Sequence, residues 1–148
     1  MARVAVATTI AAPPEVVWDA VRDVRTHVRW MADAERVTLT GERTAGVGTT
    51  FDCATKVGPV RLVDRMEITE WEPGAVMGVR HVGVVTGTGR FTLRPAPGGT
   101  TFTWEEQLTF PWWLGGRWGG ALGAVVLRRI WKGNLARLRR LVEGSPAR

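Results

Sequence analysis

The sequence predicts an α+β protein in which a curved antiparallel sheet of about seven strands is covered by a long C-terminal helix. Three observations lead to this prediction. One strand pattern is followed by two short helices and then by about six strands joined by tight turns. Each strand has one apolar face, which is typical of an antiparallel sheet packed on one side. Only the last helical pattern is long enough to cover such a sheet.

The N-terminal part of the chain predicts the first strand and both short helices. Residues 3–10 alternate between apolar and polar side chains, as a half-buried strand does. Pro13 and Pro14 then begin a helix, because proline is tolerated in the first helical turn. Asp23 is suited to cap a second short helix that continues through Trp30.

Six further strand patterns follow, separated by glycine- and proline-rich turns. Because the turns are short, consecutive strands are expected to pair antiparallel. The strands are predicted at 36–40, 49–57, 60–71, 75–82, 85–94 and 101–110.

The C-terminal region combines an amphipathic helix with an unusual segment before it. From Leu127 onward, apolar residues recur at three- and four-residue spacing. The segment 111–126 is instead rich in tryptophan and glycine. Five basic residues fall on the side of the helix opposite to the apolar stripe: Arg128, Arg129, Lys132, Arg139 and Arg140.

Composition limits the class of protein. A chain of 148 residues is expected to form one domain, over 1–148. Its one cysteine, Cys53, excludes an internal disulfide framework. Residues 128–148 contain seven basic residues and one acid, so this end of the chain accounts for the net charge of +6. The N-terminal residues enter a strand pattern without a signal-peptide core, which predicts a cytoplasmic protein.

Several stretches together resemble the START-like superfamily, also called SRPBCC, and its polyketide cyclase/dehydrase type. They are 10–23, Trp30, 46–51, 68–73 and 135–143. The resemblance extends over nearly the whole chain. It implies a helix-grip fold with a deep cavity between the sheet and the C-terminal helix, open near the N-terminal end of that helix. The segment 112–123 departs from the usual pattern of this superfamily.

Three ionisable side chains lie on strand faces that are predicted to point inward: Asp64, His81 and Glu106. If the turn after Trp71 is tight, Asp64 and His81 are close enough for a hydrogen bond. A histidine oriented by a carboxylate can act as a general base, and a desolvated Glu106 as a general acid. Ligand-orienting contacts and a satisfied polar cluster are the alternatives. Metal ligands and cofactor motifs are not indicated.

The remaining inward positions predict an apolar cavity lining. Gly89 is expected opposite Glu106 and would leave room for a guest. His27 is expected at the surface or at a helix end. The predicted ligand-binding residues are Phe51, Cys53, Met66, Met77, Val79, Phe91, Phe102, Trp104, Leu108, Phe110, Ile130 and Asn134.

These features predict a protein that binds a small hydrophobic molecule, either lipid-, polyketide- or aromatic-like. One alternative is a cyclase or dehydratase that uses the same cavity. Another is a docking module in which Trp112, Trp113 and Trp118 form a cavity mouth, a contact with a peripheral membrane surface or a homodimer contact. Nucleic-acid binding is not expected, because the basic residues lack interleaved aromatic side chains.

Overall fold

The computed structural model describes residues 2–114 and 116–144, without the side chains of residues 114–120. It contains seven strands, two α-helices and two short 3₁₀ helices within those residues. The strands are β1 (Ala2–Ile10), β2 (Ala34–Leu39), β3 (Thr50–Val57), β4 (Val60–Glu72), β5 (Val76–Val82), β6 (Thr86–Ala96) and β7 (Gly99–Thr109). The α-helices are α1 (Pro14–Val21) and α2 (Gly116–Glu143), and the 3₁₀ helices are Val24–Arg29 and Trp112–Leu114.

The strands form one antiparallel sheet in the order β1-β7-β6-β5-β4-β3-β2. The predicted α+β class is confirmed, including the sheet of seven strands and the long closing helix. Register shifts occur between Ala34 and Arg36 in β2 and between Ile68 and Glu70 in β4. Such irregularities bend a sheet and increase its twist, which helps this one to curve around α2.

The two short helices begin where the sequence indicates. Pro14 is the first residue of α1, where its missing N–H is not needed. Asp23 caps the 3₁₀ helix Val24–Arg29, because its side chain accepts a hydrogen bond from the Arg25 N–H at 3.0 Å. These helices lead the chain from β1, at one edge of the sheet, to β2 at the other edge.

An aromatic core fills one end of the space between sheet and helices. Trp30 and Phe102 are fully buried there. The rings of Phe91 and Phe102 lie 5.1 Å apart, and those of Trp30 and Phe91 lie 5.7 Å apart. Trp104 of β7 stacks on Trp131 of α2, with ring centres 4.2 Å apart and an angle of 13° between the planes. This stack joins the closing helix to the inner face of the sheet.

Polar contacts fix the C-terminal half of α2. The amide oxygen of Asn134 accepts a hydrogen bond from the Ala32 N–H at 2.9 Å, and its Nδ2 donates to Asp33 at 2.8 Å. Arg137 donates to the Trp30 carbonyl at 3.2 Å. Near the end of the helix, Glu143 accepts from the Ala11 N–H at 2.8 Å. With this half of α2 held, its earlier turns cover the other end of the sheet.

Candidate functional site

A cavity of about 240 Å³ lies between the inner face of the sheet and α2. It is larger than the engineered cavity of about 150 Å³ that binds benzene in another protein. Most of its lining is apolar and comes from β2 to β7, from the first 3₁₀ helix and the turn after it, and from α2. The α2 residues that face it are Gly123, Val126, Leu127 and Trp131.

Nine of the twelve residues predicted to contact a ligand line this cavity. They belong to β3, β4, β5, β6 and β7, except for Phe110, which follows β7. They are Phe51, Cys53, Met66, Met77, Val79, Phe91, Trp104, Leu108 and Phe110. Alternation along antiparallel strands therefore identified part of the sheet side of the lining.

The structure places the other three residues elsewhere, so these predictions are corrected. Phe102 faces inward but lies in the packed aromatic core beside Trp30. Ile130 packs against the hydrophobic core, because the cavity-facing side of α2 passes through Leu127 and Trp131 instead. Asn134 is fully buried, and its amide bonds the Ala32–Asp33 segment.

Asp64, His81 and Glu106 meet at the wall of the cavity. His81 is paired with Met66 across β4 and β5, so Asp64 lies diagonally opposite it. The His81 Nδ1 atom is 2.9 Å from each Asp64 carboxyl oxygen, and Nε2 contacts Glu106 Oε1. Glu106 Oε2 also accepts a hydrogen bond from the Trp104 indole at 2.7 Å. The ring of His81 is thus held between two carboxyl groups.

This arrangement favours the protonated form of His81. Burial alone would lower its pKa, but the hydrogen bonds with Asp64 and Glu106 outweigh burial and raise the pKa to about 10. Both ring nitrogens then carry a proton, and each donates to a carboxyl oxygen. At neutral pH, His81 is consequently a cation with both N–H groups in use.

Gly89 makes room for Glu106. The two residues are paired across β6 and β7, as the sequence predicts. A methyl group at Gly89 would lie 2.8 Å from Cγ and from Cδ of Glu106. The Glu106 carboxyl group thus fills the place of a side chain at Gly89, while Gly89 itself lines the cavity.

His27 also differs from its prediction, because it is buried and lines the cavity. Its Nε2 donates to the Val21 carbonyl at 2.8 Å, and its ring lies 5.6 Å from that of Phe91. Burial lowers the pKa of His27 to about 4, so the ring is neutral at pH 7. The spacing of Val24 and His27 carried a signal for this inward orientation, because side chains three residues apart lie on the same side of a 3₁₀ helix.

Asp33 is a further lining residue that the sequence did not indicate. It accepts hydrogen bonds from the Trp131 indole at 3.1 Å and from Asn134 at 2.8 Å. No local pattern marks an aspartate just before β2 as inward-facing. Trp131, by contrast, belongs to the apolar stripe of the helix and could have been included on that basis.

Cys53 behaves as a packing residue. Its thiol is buried, and burial raises the pKa to about 11. A thiol with this pKa is a poor nucleophile at neutral pH.

The cavity is bordered by exposed residues of the β3–β4 hairpin and of α2. Val60 and Val126 line the cavity there and are partly exposed. Trp112 and Trp113, which precede α2 in the chain, are 84% and 57% exposed. Trp118 lies outside the side chains that the structure describes.

Neither a membrane span nor a metal centre was found in the described part of the chain. Its helices are too short or too polar to cross a membrane. No three His, Cys, Asp or Glu side chains there are arranged to hold a metal ion.

A curved sheet wrapped around a C-terminal helix, with a cavity between them, agrees with the sequence resemblance. The family model for polyketide cyclase / dehydrase and lipid transport matches residues 1–143. The chain belongs to this family. Among curated proteins, none matches the sequence.

Many solved structures share the fold. The protein TTHA0849 from Thermus thermophilus is 17% identical, with a TM-score of 0.81 over 98% of this chain and 99% of that chain. MLL2253 from Mesorhizobium loti is 18% identical, with a TM-score of 0.73 over 98% and 99%. The Zhui aromatase/cyclase from a Streptomyces species, R1128, is 16% identical, with a TM-score of 0.75 over 95% and 93%. At these identities the similarity establishes the helix-grip fold alone.

Proposed function

We propose that this family member binds a small hydrophobic molecule in the cavity beneath α2. The observation that carries the proposal is the cavity itself: about 240 Å³ of space with a mostly apolar lining. Ligand sites are usually concave and apolar, with a few polar groups that fix the orientation of the guest. Here Asp33, Asp64 and the neighbouring His81–Glu106 pair are those polar groups.

The contacts of His81 favour binding over general-base catalysis. A general base needs an unprotonated nitrogen near the proton that it removes. Both nitrogens of His81 face carboxyl groups, and its pKa is raised to about 10. A cyclase or dehydratase that uses His81 as its base would first have to break this arrangement.

Native mass spectrometry of the protein purified from its source tests the proposal directly. We expect a co-purifying molecule small enough for the cavity. Binding in vitro is then followed through Trp104 and Trp131, whose stacked rings line the site. Absence of a saturable fluorescence change across a broad panel of hydrophobic compounds would contradict the proposal.

Two neighbouring residues of β4 provide a matched pair of variants. Leu62 lines the cavity, whereas Val63 is 51% exposed. We expect Leu62→Trp to reduce binding at least tenfold by filling the cavity, and Val63→Trp to leave it unchanged. Equal binding by both variants would place the ligand elsewhere.

Contact with an anionic membrane is a second candidate function, favoured by one exposed face of α2. Leu122 and Val125 are each 68% exposed. Arg129 and Lys132 continue the same face at helical spacing and are also exposed. Trp112 and Trp113, just before α2 in the chain, add exposed indole rings. Apolar and basic side chains on one helix face are typical of binding to an anionic membrane surface.

Vesicle flotation tests this second function. We expect vesicles that contain phosphatidylserine to retain the wild type but not the Leu122→Ser/Val125→Ser variant. Val63→Ser, a comparable change on the outer face of the sheet, serves as the control. Equal recovery of all three proteins would exclude this face from membrane binding.

A further inference from the structure

We propose that the cavity selects ligands whose polar group is a hydrogen-bond donor, an amine above all and then a hydroxyl, and discriminates against carboxylates and other anions. This inference rests on the proposed binding function. It follows from a comparison of the hydrogen-bond donors on the lining, which are paired within the protein, with the acceptors, which can still bond a ligand.

Among the residues whose side chains the structure describes, the N–H donors on the lining and the Thr55 hydroxyl are already paired within the protein. His27 donates to the Val21 carbonyl, and His81 is bonded to Asp64 and Glu106. The indole groups of Trp104 and Trp131 donate to Glu106 and Asp33. A bound carboxylate would need such donors, so it would have to compete with an existing partner for each of them.

Arg90 is the remaining side chain with an N–H donor beside the cavity within the described residues, and its charge is directed away. It follows Gly89 on β6 and therefore points to the outer face of the sheet. Its guanidinium donates to Glu70 at 2.7 Å and 2.8 Å. Arg90 consequently offers no positive charge to a guest in the cavity.

Acceptors, by contrast, remain available on the lining, and Asp64 is the clearest of them. Both of its oxygens lie 2.9 Å from the one His81 Nδ1 atom, and the described residues supply no other hydrogen-bond donor. An ionised carboxyl group can accept about four hydrogen bonds. Asp64 can therefore accept a proton donor of a ligand without losing His81.

The charges around the cavity also disfavour a bound anion. Three acids line the described part of the cavity, Asp33, Asp64 and Glu106, and the His81 cation contacts two of them, Asp64 and Glu106. The buried thiol of Cys53 responds to this environment. Burial is the main cause of its raised pKa of about 11, but Asp64, Asp33 and Glu106 each raise it further. A ligand anion in the same cavity would meet the repulsion that disfavours the thiolate.

Four naphthalene derivatives of similar size have the same apolar ring and differ in their substituent. Their affinities therefore report the effect of the polar group alone. They are 2-(aminomethyl)naphthalene, 2-naphthol, 2-methylnaphthalene and 2-naphthoate, measured by titration calorimetry at pH 7. We expect the amine to bind most tightly, followed by the naphthol, and to exceed the naphthoate at least tenfold in affinity. Methylnaphthalene should fall between naphthol and naphthoate. Naphthoate binding as tightly as the amine would overturn the inference.

Two variants test whether the preference for the amine over the naphthoate arises in the cavity. Asp64→Asn should reduce the amine-to-naphthoate affinity ratio at least threefold. Asp52→Asn should not, because Asp52 lies on the outer face of β3 and bonds Arg65. An unchanged ratio in a folded Asp64→Asn protein would also overturn the inference, and the wild-type series decides it independently of that variant. If methylnaphthalene binds as well as the amine, the polar selection fails while the binding function stands. If none of the four compounds binds, the inference fails, whereas the binding function is decided by the broad panel of hydrophobic compounds.

Discussion

His27 and His81 are both buried beside the cavity, yet their surroundings change their pKa values in opposite directions. His27 has a backbone carbonyl as its hydrogen-bond partner, and burial lowers its pKa to about 4. His81 is also desolvated, but Asp64 and Glu106 raise its pKa to about 10. The difference arises because nearby carboxyl groups stabilise an imidazolium ion far more than one carbonyl does.

Because the two folded pKa values differ in this way, we expect the free energy of unfolding to decrease on both sides of about pH 6.5, the pKa of histidine in the unfolded chain. We call the decrease at lower pH the acid limb and the decrease at higher pH the alkaline limb. The folded pKa of His81 is raised, so its contribution is complete below pH 6.5 and is lost as the pH rises towards 10. The folded pKa of His27 is lowered, so stability is lost as the pH falls from 6.5 towards 4, by roughly 3 kcal/mol in total. Urea unfolding across this range measures both limbs.

Substitution by glutamine assigns each limb to its histidine. His27→Gln, which keeps a donor for the Val21 carbonyl, should flatten the acid limb and leave the alkaline limb in place. His81→Gln should do the reverse, at a lower overall stability. An acid limb that persists unchanged in His27→Gln would contradict the assignment.

Gly89 gives a second prediction at the residue scale. Gly89→Ala would force the Glu106 side chain away, since the new methyl group would lie 2.8 Å from it. We expect a loss of about 1–3 kcal/mol in the free energy of unfolding and a lower His81 pKa, measured by NMR titration. Gly133→Ala is the control, because its methyl group would have no neighbour closer than 3.9 Å. Alanine at this helical position should stabilise slightly, and an equal loss in both variants would contradict the prediction.

The element that determines the shape of the site is α2, whose two halves have different roles. The C-terminal half is fixed by Asn134, Arg137 and Glu143 to the segments after the first 3₁₀ helix and after β1. The earlier turns contribute Gly123, Val126 and Leu127 to the cavity lining. The C-terminal half of α2 is therefore anchored to the rest of the protein and holds the earlier turns over the cavity. Those earlier turns do not pack tightly on the sheet.

Asn134→Ala tests this anchoring. The change removes the hydrogen bonds to the Ala32 N–H and to one oxygen of Asp33, and each such bond contributes about 0.5–1.5 kcal/mol. We expect this loss in urea unfolding, together with faster amide hydrogen exchange in α2. Lys132→Ala, an exposed position on the same helix, should change stability by no more than about 0.5 kcal/mol. Unaltered exchange in Asn134→Ala would show that the asparagine does not hold the helix.

At the scale of the whole molecule, the cavity links ligand binding to stability. A ligand that binds only the folded protein stabilises it by about 2.7 kcal/mol at a hundredfold excess over its Kd. We therefore expect 2-(aminomethyl)naphthalene to raise the Tm of the wild type and of Val63→Trp, measured by scanning calorimetry. Leu62→Trp, in which the cavity is filled, should show little change. A similar rise in Leu62→Trp would indicate binding outside the cavity.

The sequence by itself determined the fold class, the strand faces and the inward orientation of Asp64, His81 and Glu106. Alternating residues and tight turns are local signals, and antiparallel neighbours convert them directly into register. The pairing of Gly89 with Glu106 follows from the hairpin between β6 and β7 in the same way. Local patterns were sufficient wherever consecutive elements are also neighbours in space.

Only the tertiary structure decided how these faces meet. Phe102 shares its inward face with Trp104, but just one of them reaches the cavity, because the aromatic core fills the end near Trp30. The inward positions of His27 and Asp33 depend on contacts with β6 and α2, far away in the chain. The protonation state of His81 likewise depends on which carboxyl groups approach its ring across the folded sheet. These properties depend on packing between residues that are far apart in the chain, and local sequence patterns do not predict such packing.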